Sequence, residues 1–201
     1  MTLTKSSVPS NPIPLFTQWR QDAFNQPDIH QANAMTLATT TSDGVPSARI
    51  VLLREFDEHR FCFYTNYESR KGQEIAQNAH VSLLFYWDAL GRQVRIDGTI
   101  AKMTAEESDA YYQSRPLDSQ LGAWVSPQSQ VIDNRVVLED GLAGLQAKHG
   151  ETAPPRPPFW GGYRVYPTVI EFWQHNDHRL HDRIRYTRQP DDTWTIERLA
   201  P

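Results

Sequence analysis

The sequence predicts a mainly β fold, an antiparallel barrel with helical additions, and three observations lead there. Short runs of apolar, aromatic and threonine residues alternate with polar ones and stop at clusters of turn-forming residues. Helical patterns lie between some of these runs, but without the regular strand–helix alternation of a doubly wound parallel sheet. With 39% hydrophobic residues and six tryptophans over 201 residues, the chain can bury one core of ordinary size.

Taken in order, residues 1–14 are polar and proline-bearing and read as a flexible arm without an apolar signal core, ahead of a single domain over 15–201. Residues 15–24 (LFTQWRQDAF) space their apolar side chains for a short amphipathic helix. A strand over 34–41 leads through Ser42-Asp43-Gly44, a hairpin turn, into a buried-looking strand over 47–55. Asp57-Glu58-His59 turns the chain into a third strand, 60–65. Residues 69–77 form a helix with Ser69 as N-cap and Asn78 as its stop. Strands follow over 81–87 and 93–103. Thr104-Ala105-Glu106-Glu107 is a capping box, opening a helix that ends before Arg115-Pro116. A short helix over 119–124, a loop over 126–129 and a glycine-weakened helix over 134–148 come next. Beyond the stiff connector of 154–162, strands are expected over 163–166, 168–174, 179–188 and 193–198.

Charge and cysteine content narrow the chemistry. A formal charge of −4 gives no bulk reason to expect nucleic acid or an anionic membrane as partner, so local clusters must carry any anion binding. Cys62 is the sole cysteine, which rules out a disulfide within the chain and zinc sites built on several thiolates. No apolar run approaches the length of a membrane span, and a soluble cytoplasmic protein is expected.

Four clusters are candidate sites. Residues 172–183 (FWQHNDHRLHDR) join two strand-like runs through a polar turn at Asn176-Asp177. In a strand over 179–188, alternation puts Arg179, His181, Arg183 and Arg185 on one face, and Leu180, Ile184 and Tyr186 on the other with Asp182. Such a face is either a solvated basic edge or the floor of an anionic ligand's site, and the second reading is preferred. The second cluster, Tyr64 to Lys71, is a strand end, a turn and a helix start. Free N–H groups and the helix dipole favour a phosphate there. Arg70-Lys71 in a first helical turn is unfavourable unless an anion neutralises it. Third, Arg49 and Arg54 are five positions apart, so a regular strand aims them at opposite faces. A bulge, two parts of one ligand, or plain solvent exposure would each account for them. Fourth, Tyr111, Arg115 and Ser119 are spaced by four along a helix and its exit, placed to converge on one ligand or simply to cap. Gln93 and Arg95 share a strand face, with Asp97 offering an ordinary charge pair. His175, His178 and His181 are spaced by three, which splits strand faces, so no metal site is expected. A Rossmann glycine pattern and a G-x-S-x-G elbow are both absent.

The blocks ARIVLLR, FYTNYESRKG, RQVRIDG, SRPLDSQLGAWVSPQS, PPFWGGYRV, IEFWQ, HRLHDR and IERLAP, in this order over residues 15–201, resemble the pyridoxamine 5'-phosphate oxidase family. The resemblance implies an FMN-binding split barrel, an antiparallel Greek-key barrel, acting as a homodimer with FMN in clefts at the subunit interface. It implies flavin contacts from Arg49, Ile50, Val51, Leu52, Leu53 and Arg54 on one strand, and from Tyr64, Thr65, Arg70, Lys71 and Gln93. Gln128, Ser129, Trp173 and Arg183 would complete that site. Arg54, Tyr111, Arg115, Ser119, Arg179, Leu180 and His181 would hold the substrate, with Arg179 and His181 as the candidate catalytic pair, in positioning and electrostatic roles. The implied reaction oxidises pyridoxamine or pyridoxine 5'-phosphate at C4' to pyridoxal 5'-phosphate, with FMN carrying the electrons and dioxygen reduced to hydrogen peroxide. Two residues depart from the family pattern. Arg54 stands where lysine is usual, exchanging a point charge for a planar fork. Residues 1–10 also lack the arginine- and tyrosine-bearing segment that often folds over the substrate. The rivals are the related FMN oxidase of phenazine biosynthesis, which RQVRIDG and SRPLDSQLGAW fit less well, and a flavin binder without turnover, which needs no second phosphate cluster.

Overall fold

In a computed structural model, which describes residues 3–201, nine strands form one antiparallel sheet. They are β1 (Ala34–Thr40), β2 (Pro46–Leu52), β3 (Glu55–Phe56), β4 (Phe61–Asn66), β5 (His80–Trp87), β6 (Arg92–Lys102), β7 (Trp160–Gln174), β8 (Asp182–Arg188) and β9 (Trp194–Arg198). The order is β2-β1-β5-β6-β7-β4-β3, with β8 and then β9 added on β7. β7 is the branch point. Its residues 160–165 pair with β4 and its residues 169–174 with β8, while β6 runs along its other edge. One strand shared among three neighbours bends the sheet into a half-barrel.

The two short strands expected over 163–166 and 168–174 are this single strand. Pro167 lies opposite Gly98, where the register shifts and Thr168 is the extra residue of a bulge. The bulge accommodates a proline that has no N–H to give the ladder. Gly98 is required there, since a Cβ would lie 2.1 Å from the Tyr166 carbonyl oxygen. The strand expected over 47–55 breaks instead into β2 and β3, with Leu53-Arg54 between them.

Helix α1 (Pro12–Phe24) starts three residues earlier than the apolar spacing implies, because Asn11 accepts from the Ile13 N–H at 2.9 Å and proline is tolerated in a first turn. It packs its apolar face into the core. Phe16, fully buried, meets Phe56, Phe61 and Phe85 edge-on with ring centroids 5.0, 5.1 and 5.2 Å away. The arm before it is not loose from Leu3 onward. The Leu3 N–H donates to Asp182 at 3.0 Å, Arg198 donates to the Leu3 carbonyl, and the Tyr186 hydroxyl donates to the Pro9 carbonyl at 2.8 Å. Met1 and Thr2 lie outside the described residues.

The remaining helices are α2 (Arg70–Gln77), α3 (Ala105–Gln113), α4 (Leu117–Val125) and α5 (Val136–His149). Ser69 caps α2, and both halves of the Thr104–Glu107 capping box are formed at α3.

The segment before β8 corrects the expected strand over 179–188. Residues 177–179 form a short 3-10 turn, with His178 at φ 55° and Arg179 at φ 61°. Asn176 closes it, donating from its side chain to the Leu180 carbonyl at 3.3 Å and from its N–H to His181 Nδ1 at 3.2 Å. Local side-chain bonds replace the ladder there. The alternation of faces therefore starts only at Asp182, which is buried together with Ile184 and Tyr186. Leu180, expected on the buried face, is 68% exposed.

Candidate functional site

Two adjoining pockets hold most of the predicted residues. The first, about 600 Å³, lies between β2, the end of β4, the start of α2 and the loop after α4. Arg49, Ile50, Val51 and Leu52 supply one wall and Arg54 its end, because the break after β2 turns Arg54 towards the same space. That break resolves the five-residue spacing of the two arginines. Tyr64, Thr65, Arg70, Lys71, Gln128 and Ser129 form the other wall. Leu53 does not line the pocket; it is 1% exposed and belongs to the core.

Lys71 is the unusual group here. It is 8% exposed, and its ammonium donates to Gln128 Oε1 at 2.9 Å, Thr65 Oγ1 at 3.2 Å and Ser69 Oγ at 3.3 Å, all neutral acceptors. Burial, then the nearby Arg49 charge, pulls its pKa down to about 8, with Glu74 opposing. The first turn of α2 that carries it sits tightly on the preceding turn: a Cβ on Gly72 would lie 2.0 Å from the Tyr67 carbonyl oxygen.

Glu74 neutralises much of the remaining positive charge, and the sequence reading missed it. Its Oε1 accepts from Arg70 at 2.8 Å and its Oε2 from Arg49 at 3.0 Å. Thr39 and Ser47 also donate to Oε2, each at 2.5 Å, while Arg49 donates to both hydroxyls. Burial raises the Glu74 pKa, but these donors outweigh it and bring the carboxyl down to about 2. The available signal was the spacing of four between Arg70 and Glu74 on one helix. The hydroxyl partners, from two strands, left none.

The second pocket, about 330 Å³, shares Arg54, Tyr64, Thr65 and Gln128 with the first. Tyr111, Arg115 and Ser119 do converge here, with Trp160 as a further wall. Tyr64 and Tyr111 stack at 3.7 Å, and the Arg115 guanidinium lies 4.6 Å from the Trp160 ring centre. Arg115 Nη1 is buried and has no hydrogen-bond partner among the described residues. Burial lowers the Arg115 pKa and the Arg54 charge adds to the effect, though a guanidinium stays charged. Two cations thus share a small pocket with no carboxylate lining it. Trp160 was a second omission, although it stands in the PPFWGGYRV block.

The other predicted residues lie elsewhere in the chain. Gln93, Trp173 and Arg183 form a row across β6, β7 and β8, in register with one another. Trp173 packs on His181 at 4.7 Å, and the turn carries Arg179 and Leu180 beside them. Arg183 donates to buried Glu171 at 2.8 Å and to the Ala200 carbonyl at 2.9 Å. Arg95 takes the other oxygen of Glu171 at 2.8 Å and also pairs with Asp97 at 3.2 Å. None of these residues lines either pocket. Among the described residues no group of three or more His, Cys, Asp or Glu side chains could hold a metal ion.

Comparisons with known proteins give the family of the chain. Residues 22–148 match the family model described as pyridoxamine 5'-phosphate oxidase, and residues 160–201 the model described as the pyridoxine 5'-phosphate oxidase C-terminal dimerisation region. A pyridoxine/pyridoxamine 5'-phosphate oxidase of Paraburkholderia phymatum is 54% identical over 200 residues, spanning 100% of this chain and 93% of its own. One from Gloeothece citriformis is 53% identical over 99% of this chain and 92% of its own. Among solved structures, PhzG from Burkholderia lata, in complex with tetrahydrophenazine-1-carboxylic acid, superposes with a TM-score of 0.91 at 34% identity, covering 99% of this chain and 98% of that one. A pyridoxamine 5'-phosphate oxidase-related, FMN binding protein of Nostoc punctiforme has a TM-score of 0.73 at 19% identity over the full length of both chains, a likeness of fold. The half-barrel is the split barrel of these proteins, and the chain belongs to the pyridoxamine 5'-phosphate oxidase family of oxidoreductases.

Proposed function

We propose that this chain, as a homodimer with FMN, oxidises pyridoxamine 5'-phosphate and pyridoxine 5'-phosphate to pyridoxal 5'-phosphate, with dioxygen as final acceptor and hydrogen peroxide as by-product. The observation that carries the reading is a pair of adjoining pockets, each with a buried cationic group that makes no ion pair among the described residues: Lys71 Nζ in one and Arg115 Nη1 in the other. Two phosphate monoesters, one on the cofactor and one on the substrate, match two such groups. Each charge-assisted bond so formed contributes about 1.5–3 kcal/mol.

The first pocket fits FMN. Lys71, Arg70, Arg49 and the free N–H groups at the start of α2 would take its phosphate, with Thr65, Gln128 and Ser129 closing round it. FMN, when bound, supplies the two-electron acceptor. In the second pocket Arg54, Arg115 and Ser119 would hold the substrate phosphate, with Tyr111 braced by its stack on Tyr64. Anchoring there, away from C4', spends binding energy on orienting the reacting carbon.

Gln93, Trp173, Arg179, Leu180, His181 and Arg183 are read as the part of the site supplied by the partner subunit, which the match of residues 160–201 to a dimerisation region supports. His181 Nδ1 accepts from the Asn176 N–H, so the neutral ring carries its proton on Nε2 and offers a donor there. Arg179 and His181 then act as positioning and electrostatic groups. No helix among the described residues is long and apolar enough to cross a membrane, and cytoplasmic residence is part of the proposal.

The PhzG likeness keeps a phenazine-type acid as the second reading. Phosphate dependence separates the two, since the Arg54–Arg115–Ser119 cluster is suited to a phosphate monoester. The test is product analysis after flavin-loaded protein meets pyridoxine 5'-phosphate in air. Pyridoxal 5'-phosphate and peroxide in equal amounts are expected; neither product, with turnover of a phenazine acid instead, would overturn the reading.

A further inference from the structure

We propose that Glu74 is a positioning residue of the first pocket: one buried carboxylate that fixes the Arg49 and Arg70 guanidiniums and sets a negative charge one helical turn from the Lys71 ammonium. The inference rests on reading that pocket as the FMN phosphate site.

The geometry gives Glu74 more than a structural share. It is 3% exposed, and its two oxygens divide the work. Oε1 takes Arg70 at 2.8 Å. Oε2 takes Arg49 directly, and a second time through the hydroxyls of Thr39 and Ser47, which accept from Arg49 and donate onward to the carboxylate. Arg49 is thereby bound to β1, to β2 and to α2 at once, and its guanidinium cannot swing out of the pocket wall without breaking four bonds. An acidic residue in an anion site weakens the site's field, so a purely attractive design would omit it. Without it, however, the Arg49 charge would act on Lys71 unopposed.

The charged groups acting on Lys71 are Arg49 from β2, which lowers its pKa, and Glu74 from its own helix, which raises it. Thr65, Ser69 and Gln128 contact it and are neutral. The sign follows. FMN phosphate binds best to protonated Lys71, so affinity falls as pH rises through the free-protein pKa of about 8. Removing the Glu74 charge moves that midpoint to lower pH. Absolute affinity at neutral pH is a poor readout, because losing a carboxylate also strengthens the field felt by the phosphate. The midpoint responds to one of these effects only.

The experiment is FMN titration of apoprotein by flavin fluorescence quenching, from about pH 6.5 to about pH 9.5, on wild type, Glu74→Gln and Glu74→Asp. Glu74→Gln is expected to lower the midpoint by about 0.5–1 pH unit. Glu74→Asp keeps the charge but withdraws it by one methylene, so the midpoint should stay and affinity should fall at least about fivefold as the arginines lose their anchor. Should Glu74→Gln fail to fold, the aspartate variant decides alone: a shifted midpoint or unaltered affinity overturns the proposal. Wild type that binds FMN with the expected limb, while Glu74→Gln keeps the same midpoint, overturns this inference and leaves the proposed function standing. Wild type that binds no FMN overturns both.

Discussion

Replacing Arg115 by methionine should stabilise the ligand-free protein while crippling it as an enzyme. Arg115 Nη1 is a buried donor with no partner among the described residues, and the Arg54 charge shares its pocket. Leaving such a donor unsatisfied costs about 1–3 kcal/mol. Its guanidinium contact with Trp160, at 4.6 Å, returns about 0.5–2 kcal/mol, and a methionine sulfur on the same ring recovers about 0.3–1.5 kcal/mol of that loss. The balance is a gain of about 1 kcal/mol, or about 2–4 °C in Tm for a chain of this size. With substrate, the sign reverses. Losing one charged bond to the phosphate removes about 1.5–3 kcal/mol, which lowers kcat/KM about 10- to 150-fold for pyridoxine 5'-phosphate. Pyridoxine itself, without the phosphate, should lose almost nothing. The assay pairs thermal unfolding in buffer free of phosphate and sulfate with steady-state kinetics on both substrates. A Tm that falls by more than about 4 °C, or an equal loss on both substrates, would refute the reading of Arg115 as a group held unpaired for the substrate phosphate.

The protein should purify yellow, with one non-covalent FMN per subunit; FAD, or flavin retained in an acid precipitate, would contradict the first pocket's assignment. Arg183→Ala should weaken FMN binding and also cost about 1–3 kcal/mol of stability, because it leaves Glu171 with Arg95 as its remaining cation, whereas Arg179→Ala should keep its FMN and lose turnover. Flavin titration and thermal unfolding of both variants check this, and the reverse order would put the two ligands the wrong way round. The Glu74 carboxyl falls from 4.5 when unfolded to about 2 when folded, so its contribution is complete above pH 4.5 and is lost as pH falls towards 2. That contribution is about 3 kcal/mol, and Glu74→Gln should flatten the acid limb of a stability–pH curve by that much.

The barrel was legible because its signals are local. The Thr104 capping box, the Ser69 cap and the Asp57 turn are each written within a few residues, and each is formed. The block at the start of α2 stood out for a different reason, since Arg70 and Lys71 carry positive charge in a first helical turn that disfavours it, whereas Arg49 and Arg115 each had an ordinary reading at a strand or helix end. What escaped depends on partners far away in sequence. Glu74 gathers Thr39 and Ser47 from neighbouring strands, and the arm before α1 docks on residues near the other end of the chain. The turn expected at Asn176-Asp177 is formed, but its continuation through Arg179 escaped because His178 and Arg179 take left-handed conformations that glycine or asparagine would have advertised. With residues 179–181 misread as strand, Leu180 was assigned to the buried face, where alternation would have put it.

The docking of the arm has a consequence for the order of folding. Leu3 and Pro9 bond to Asp182, Tyr186 and Arg198, which stand 177 to 195 positions later in the sequence. Contacts so distant in sequence close late and slowly, because loop entropy is lost before any bond repays it. Asp182 begins the strand that carries Arg183, and it is held between Leu3 and Arg198. Docking the arm on that strand, which β7 and β9 already pair with through nearby residues, is thus a late contact of folding. A lesion in the arm would show itself as a slow or leaky final folding phase at the far end of the chain, in a segment that shares no sequence neighbourhood with the damage.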